Sequence, residues 1–289
     1  MTIDTAPQPA ASIVLLRDGD AGLEVFLMQR HGLSEVLGGA YVFPGGKLDA
    51  GDADLDMELH LDQPASTLHR ALNEPDTDPR GAAALYIAGL REAFEESGVL
   101  LALGRDGAGA LDIGQARRLS REGQAFDQVL AQMQLRLQTR DMVPWSRWIT
   151  PRVPSISSKR FDTRFFVAAA PVEQVARHDD RETTDSLWLG PRAALEQYWA
   201  SRIELAPPQI MSLAHLSRHR SVADVLQAAR RRVPPVIAPE PFDQDGTRVI
   251  CYPGDQRHSN PVVALPGPTR LVYRNKRFEP PGGFEALFA

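Results

Sequence analysis

The segment from Gly81 to Ser97 constrains the fold most, because it predicts a helix with two chemically opposite faces. At about 100° per residue, one face carries three carboxylates, those of Glu92, Glu95 and Glu96. The opposite face carries the bulky apolar side chains of Ile87, Leu90 and Phe94. Such a helix needs a hydrophobic layer on one side only. Gly98 follows at the position where a left-handed glycine commonly ends a helix.

Short apolar runs on both sides of this helix predict strands. Ser12–Arg17 and Glu24–Arg30 flank a glycine-containing polar turn and predict a hairpin. Further strands are expected at Ala40–Phe43, Trp145–Thr150, Arg160–Ala169 and Ser186–Leu189. Strands before and after a central helix predict an α/β/α sandwich with a mixed β-sheet.

The remaining segments are less regular. Residues 52–80 contain three prolines and many acidic side chains, and we expect irregular structure there. Residues 113–140 predict two helical pieces broken near Gly123. Helices are expected at 191–201, 209–218 and 223–231, with short strand-like pieces at 248–252 and 270–273. Residues 203–289 are therefore expected to form a helical and irregular C-terminal extension of unknown role.

Composition excludes several classes of protein. The formal net charge is -5, so a nucleic-acid partner is not expected. Cys251 is the single cysteine, which excludes an intrachain disulfide and fits the reducing cytoplasm. The sequence contains neither a long apolar run nor a signal-peptide pattern, so we expect a cytoplasmic protein without a membrane partner.

The acidic face has two interpretations. Like charges at i,i+4 destabilise a helix by roughly 0.2–0.5 kcal/mol per pair, and a solvated charged face tolerates that cost. Alternatively, a hard divalent cation binds the carboxylate oxygens. Upstream, the strand ending at Phe43 runs into Pro44-Gly45-Gly46, and glycines let the backbone approach a phosphate or an ion closely.

Together the two segments resemble the Nudix box, G-x5-E-x7-R-E-U-x-E-E-x-G-U, where U is a bulky aliphatic residue. Gly46 stands at the first glycine and Asp52 at the first glutamate. The second half is matched by Arg91, Glu92, Glu95, Glu96, Gly98 and Val99, with Ala93 departing at the first U. The pattern has seven residues between its halves, whereas 38 separate Asp52 from Arg91. That insertion leaves open whether Asp52 orients the helix.

A long insertion inside the box resembles a Nudix subgroup similar to the mammalian peroxisomal enzyme that cleaves coenzyme A and acyl-CoA. The resembling segments are Val42–Gly46, Arg91–Leu101, Trp148–Pro151 and Arg160–Phe166. The resemblance implies a Nudix domain at residues 12–202, with the insertion at about 53–80. It also implies hydrolysis of CoA or acyl-CoA to 3′,5′-ADP and (acyl-)phosphopantetheine.

Two other functions stay open. One is Nudix hydrolysis of another small diphosphate, such as ADP-ribose, NADH or a dinucleoside polyphosphate. The other is a non-catalytic nucleotide-binding module, against which the intact set of box glutamates argues. Nudix relatives are often dimers, so a homodimer is the assembly to test.

The resemblance also implies the roles of individual residues. Glu92, Glu95 and Glu96 would bind Mg²⁺ or Mn²⁺ together with a backbone carbonyl of Gly46. Arg91 would orient a carboxylate, as outer-shell partners do. The general base would be a box glutamate or Glu182 from a later loop, although Glu182 also fits an exposed loop acid.

Other residues have a binding and a structural interpretation. Arg30, Arg160 and Arg164 fit phosphate contacts or surface charges. Trp145, Trp148 and Phe161 fit adenine stacking, with core packing favoured. His215 and His219 have the i,i+4 spacing of a zinc pair, but they lack an evident third ligand and favour packing. The run Arg230–Arg232 favours a helix end over a substrate contact.

Overall fold

The computed structural model describes residues 6–33, 37–105, 111–152, 159–179 and 182–289. The strands are β1 (Gln8–Gly19), β2 (Gly22–Arg30), β3 (Tyr41–Val42), β4 (Gly45–Lys47), β5 (Ala102–Gly104), β6 (Leu135–Leu137), β7 (Met142–Ile149), β8 (Phe161–Ala169), β9 (Thr183–Leu189), β10 (Val236–Ile237), β11 (Glu240–Gln244), β12 (Thr247–Cys251), β13 (Arg270–Arg274) and β14 (Arg277–Glu279). The α-helices are α1 (Ala50–Asp54), α2 (Met57–His60), α3 (Ala65–Leu72), α4 (Pro79–Ser97), α5 (Ile113–Arg121), α6 (Phe126–Gln132), α7 (Pro191–Trp199), α8 (Pro207–Leu216) and α9 (Val222–Arg230).

The main sheet is mixed, as the sequence predicts. Its order is β10-β7-β8-β1-β2-β3, with β4 paired to β1 and β9 paired to β2. Strands β1 and β8 run parallel, whereas β1 and β2 form the predicted antiparallel hairpin. Strand β1 changes neighbours along its length, since Ala10–Ser12 pair with β4 and Leu16–Gly19 pair with β2. Strands β4 and β2 therefore pair with different parts of β1.

Both faces of the sheet are covered, which gives the predicted sandwich. Along β1, Ile13 and Leu15 enter one hydrophobic cluster, and Val14 and Leu16 enter the other. This alternation is the two-residue period of a strand buried on both sides. Helix α4 packs on the first face, and helices α7 to α9 contribute to the cluster on the second.

Helix α4 begins two residues before the predicted Gly81 and ends at the predicted Ser97, with a defined cap at each end. The Asp78 carboxylate accepts a hydrogen bond from Gly81 N–H at 2.6 Å, and Pro79 occupies the first turn. Gly98 ends the helix in the left-handed region, with φ of 69°. Its C-terminal half lies against β4, where Gly45 meets Glu96.

The prediction of irregular structure at residues 52–80 is wrong, because this insertion contains α1, α2 and α3. The helices are only 4–8 residues long, so their apolar period is hard to recognise in the sequence. Leu68 and Leu72 nevertheless enter the same core as α4. Residues 113–140 form the two expected helices, but Leu135–Leu137 pair with β5 as a strand.

The C-terminal extension is more regular than expected. The two strand-like pieces become β12 and β13 at the centre of a four-stranded antiparallel sheet. Strand β10 adds to the edge of the main sheet beside β7. Ile250, Leu271 and Leu287 share a core with Val14 of β1. The boundary proposed near residue 202 therefore separates segments that pack into one core. Within the described ranges, no helix is long and apolar enough to cross a membrane.

This shared core predicts the effect of a cavity in the extension. Leu271 is fully buried, so Leu271→Ala is expected to lower the free energy of unfolding by about 2–5 kcal/mol. Chemical denaturation should show one transition that shifts as a whole. The control Val262→Ala, at a side chain that is 68% exposed, should change stability by about 0.5 kcal/mol or less. A separate early transition, with the main one unmoved, would contradict the shared core.

Candidate active site

The two glycines of β4 bring the sheet against the acidic face of α4. Gly45 N–H donates a hydrogen bond to Glu96 Oε2 at 2.8 Å. A Cβ atom at Gly46 would collide with the end of the Glu92 side chain, so any larger residue there would displace the Glu92 carboxylate. The Pro-Gly-Gly turn therefore lets the backbone touch both carboxylates.

Arg91 connects the insertion, β4 and the box. Its Nε and Nη2 donate to Asp52 at 2.8 and 3.0 Å, and Nη2 also donates to Lys47 O at 3.1 Å. Its Nη1 donates to Glu92 at 2.8 Å and to Glu95 at 3.0 Å. Asp52 is only 2% exposed. Asp52 thus meets the box arginine despite the long insertion.

Asp49 is a contributor that the sequence reasoning overlooked. Its backbone N–H donates to Asp52 Oδ2 at 2.8 Å, and its carboxylate lies 3.7 Å from Arg91 Nη2. The Asp49-x-x-Asp52 spacing at the start of α1 is a recognisable helix-start signal. That signal would have predicted an ordered Asp52.

The raised pKa values of the box glutamates show that this site favours binding a proton or a cation. Burial raises the pKa of Glu92 to about 7, although Arg91 opposes the shift. Burial also raises the pKa of Glu96 to about 8, with the Glu92 charge adding to the effect and Gly45 N–H opposing it. Glu95, whose side chain is 42% exposed, has a pKa raised by burial and countered by Arg91. The most buried pair, Glu92 and Glu96, therefore lacks a counter-charge sufficient to ionise both readily.

Two residues outside α4 lie within electrostatic reach of this pair, Arg30 at the end of β2 and Glu182 before β9. The pKa of Glu96, raised mainly by burial, is lowered by the Arg30 charge and raised by the Glu182 charge. Glu182 also raises the pKa of Glu92. Arg30 Nε is buried without a hydrogen-bond partner among the described residues. A buried donor of this kind calls for an acceptor, and a phosphoryl oxygen supplies one.

The donors fit a hard divalent ion, but they do not form a closed ligand shell. No cluster of three His, Cys, Asp or Glu side chains is arranged for a metal in the described ranges. Glu92 and Glu95 both turn a carboxylate oxygen towards Arg91 Nη1, at 2.8 and 3.0 Å. Glu92 and Glu96, one turn apart, supply carboxylate oxygens beside the Gly46 backbone. Mg²⁺ needs only one or two carboxylates and completes its shell with water and phosphate oxygens.

The structure moves one predicted phosphate ligand away from this role. Arg164 is only 7% exposed in its side chain, and it forms a bidentate ion pair with Glu74 of the insertion at 3.0 and 2.5 Å. It also pairs with Asp162 at 3.0 Å. Its guanidinium is therefore committed to joining the insertion to β8. Arg160 donates from Nε to Thr150 O at 3.1 Å, and a phosphate contact by Arg160 stays a prediction.

The aromatic and histidine residues named from the sequence mostly pack. Trp145 and Trp148 are buried in the second core, as favoured, and Phe161 is half-buried at the start of β8. The His215 ring stacks 4.5 Å from that of Trp145, and burial lowers the pKa of His215 to about 3. The Arg232 guanidinium lies 4.0 Å from the Trp145 ring, at the end of α9. These contacts support packing in place of a zinc site.

Comparison with known proteins agrees with this geometry. The family model described as the NUDT19 Nudix domain matches residues 5–216. Acyl-coenzyme A diphosphatase NUDT19 of Xenopus laevis is 26% identical, over 86% of this chain and 74% of that protein. The Homo sapiens protein of the same name is 29% identical, over 81% and 72%. The crystal structure of a NUDIX hydrolase from Alicyclobacillus acidocaldarius is 25% identical with a TM-score of 0.63, over 80% of this chain and 98% of that one.

The family match covers well over half of the chain and includes both halves of the interrupted box. The structure brings those halves together through Arg91 and Asp52, on a sheet-and-helix framework shared with a solved Nudix enzyme. The chain is therefore a member of the Nudix hydrolases, in the family defined by the NUDT19 Nudix domain.

Proposed function

We propose that this Nudix hydrolase cleaves the diphosphate of CoA or acyl-CoA, giving 3′,5′-ADP and (acyl-)phosphopantetheine. The observation that carries the reaction class is the buried Glu92–Glu96 pair beside the unpartnered Nε of Arg30. The names of the relatives from Xenopus laevis and Homo sapiens support the choice of substrate. The long insertion inside the box also supports it.

We propose that Glu92 and Glu96 hold Mg²⁺ or Mn²⁺, with Gly46 and Glu95 as further ligands. A cation bound there would neutralise diphosphate oxygens and make a water molecule more acidic. Arg91 fixes the direction of Glu92 and Glu95 through its hydrogen bonds. Arg30, whose charge acts on Glu96 and whose Nε has no partner among the described residues, would donate Nε–H to a phosphoryl oxygen.

Glu182 is the proposed general base, with a box glutamate as the alternative. It is exposed, and its charge acts on both Glu92 and Glu96, so it lies within electrostatic reach of the pair. In the reaction, the water oxygen bonds to phosphorus and the P–O bond of the anhydride breaks. The water proton passes to Glu182, and the leaving phosphate retains the bonding electron pair.

The substrate proposal predicts the products. With Mg²⁺ or Mn²⁺, acyl-CoA should give equimolar 3′,5′-ADP and acyl-phosphopantetheine. Chromatography and mass spectrometry measure both products. Free CoA, ADP-ribose, NADH and diadenosine polyphosphates complete the panel. Faster turnover of a substrate other than CoA or its esters would replace the substrate proposal. Nucleotide binding without turnover would favour a binding module.

The mechanism predicts the effect of removing one buried carboxylate. Glu96→Gln should keep the fold, because the amide oxygen can still accept from Gly45 N–H. It should lower kcat/KM by about 10²-fold or more, since losing even an outer-shell partner costs about 10–100-fold. The control is Glu122→Gln at the exposed end of α5, which should leave the rate unchanged. Undiminished hydrolysis by Glu96→Gln would remove Glu96 from the mechanism.

A further inference from the structure

The segment 171–179, between β8 and β9, is tied to the end of α4. Gln174 binds both backbone groups of Leu100, donating from Nε2 to the carbonyl and accepting from the N–H, each at 2.9 Å. Arg177 N–H donates to Ser97 O at 3.0 Å. This segment therefore keeps a fixed relation to the helix turn that carries the box glutamates.

Asp179 ends this segment and binds the backbone that follows. Its carboxylate accepts from Glu182 N–H, with 3.2 Å to each oxygen. It also accepts from Thr183 N–H at 3.1 Å and from the Thr183 hydroxyl at 2.8 Å. On the other side, Glu182 O accepts from His31 N–H at 2.9 Å. The backbone of Glu182 is thus held by its N–H and by its carbonyl.

The hydrogen bond from His31 N–H to the Glu182 carbonyl links Glu182 to Arg30, the proposed phosphate ligand. His31 directly follows Arg30 at the end of β2, so the Glu182 carbonyl is fixed to the strand that presents Arg30. The segment 171–179 fixes the same residue to the end of α4. Hydrogen bonds therefore connect the proposed base, Glu182, both to the strand that carries Arg30 and to the helix that carries the box glutamates.

We propose that Asp179 is a positioning residue. It holds the Glu182 backbone so that the Glu182 carboxylate meets the attacking water. This inference rests on the proposed function and deepens it. Asp179 acts through Glu182, because its carboxylate accepts hydrogen bonds from the N–H groups of Glu182 and Thr183 and from the Thr183 hydroxyl. Without it, Glu182 and Thr183 lose their N–H acceptor and the carboxylate of Glu182 becomes less well aimed. A displacement of about 1 Å at a catalytic group can cost about 10²-fold in rate.

The test is a double-mutant cycle in the full chain, measured with acyl-CoA and Mg²⁺. Asp179→Ala should lower kcat by about 10–10²-fold while KM changes by less than about 3-fold. Asp179→Asn should retain most of the rate, because its amide oxygen can accept the same backbone bonds. In the Glu182→Gln background, Asp179→Ala should lower kcat no further, since its route of action is already lost.

Two further variants keep the result interpretable. Thr183→Val removes the hydroxyl, which donates to the Asp179 carboxylate and accepts from Asp179 N–H at 3.4 Å. It should give a smaller fall in kcat that also disappears in the Glu182→Gln background. Ser221→Ala is the matched control, because it removes a side-chain bond to Asp224 N–H at 3.2 Å on the other face of the sheet. It should lower thermal stability without lowering kcat.

The inference and the proposed function fail in different ways. Equal falls in kcat for Asp179→Ala in both backgrounds would overturn the positioning role. A fall no larger than that of Ser221→Ala, or no rescue by folded Asp179→Asn, would overturn it too. Full activity of Glu182→Gln would overturn it while leaving the wild-type activity on acyl-CoA intact. An inactive wild-type protein would instead count against the proposed function.

Discussion

The ion pair between Arg91 and Asp52 is the interaction on which the rest of the site depends. Arginine has five N–H donors, and here each has an acceptor, from Asp52, Lys47, Glu92 and Glu95. A buried guanidinium is costly unless it is satisfied in this way. These bonds give Glu92 and Glu95 one direction and fix the insertion to the helix that it interrupts in sequence.

The insertion therefore contributes contacts to the Nudix box and is more than an added surface segment. One end supplies Asp52 to Arg91, and the other supplies Glu74 to Arg164 of β8. Between these points Asp62 accepts from Thr139 N–H at 2.9 Å. An insertion that is held at three places, and whose Leu68 and Leu72 pack in the same core as α4, can place Asp52 reproducibly. The glycine turn at Gly45 and Gly46 then brings the backbone to the carboxylates from the opposite side.

Much of this arrangement could be predicted from local sequence. The apolar period and the Gly98 cap predict α4, and alternating apolar residues predict the hairpin and the mixed sheet. The meeting of Asp52 and Arg91 could not be predicted with certainty, because 38 intervening residues hide the register. The buried ion pair of Arg164 could not be predicted, because its partner Glu74 lies 90 positions away. Helices α1 to α3 escaped notice because helices so short show little periodicity.

The central claim is that a divalent cation supplies the counter-charge that Glu92 and Glu96 need in addition to Arg91 and Arg30. Their folded pKa values of about 7 and about 8 exceed the ordinary value of 4.5. Metal-free protein should therefore lose stability as pH rises from about 5 to about 8, the range in which the unfolded state has released these protons and the folded state still holds them. A cation that binds the ionised pair should reverse this loss.

The most direct measurement is the thermal midpoint of metal-free protein with and without Mg²⁺ or Mn²⁺ at two pH values. The account predicts a rise with metal that is larger at about pH 8.5 than at about pH 6, because protons compete with the cation. The double variant Glu92→Gln with Glu96→Gln should show no such rise. A midpoint that ignores the metal at the higher pH, or an equal rise in the double variant, would contradict the account.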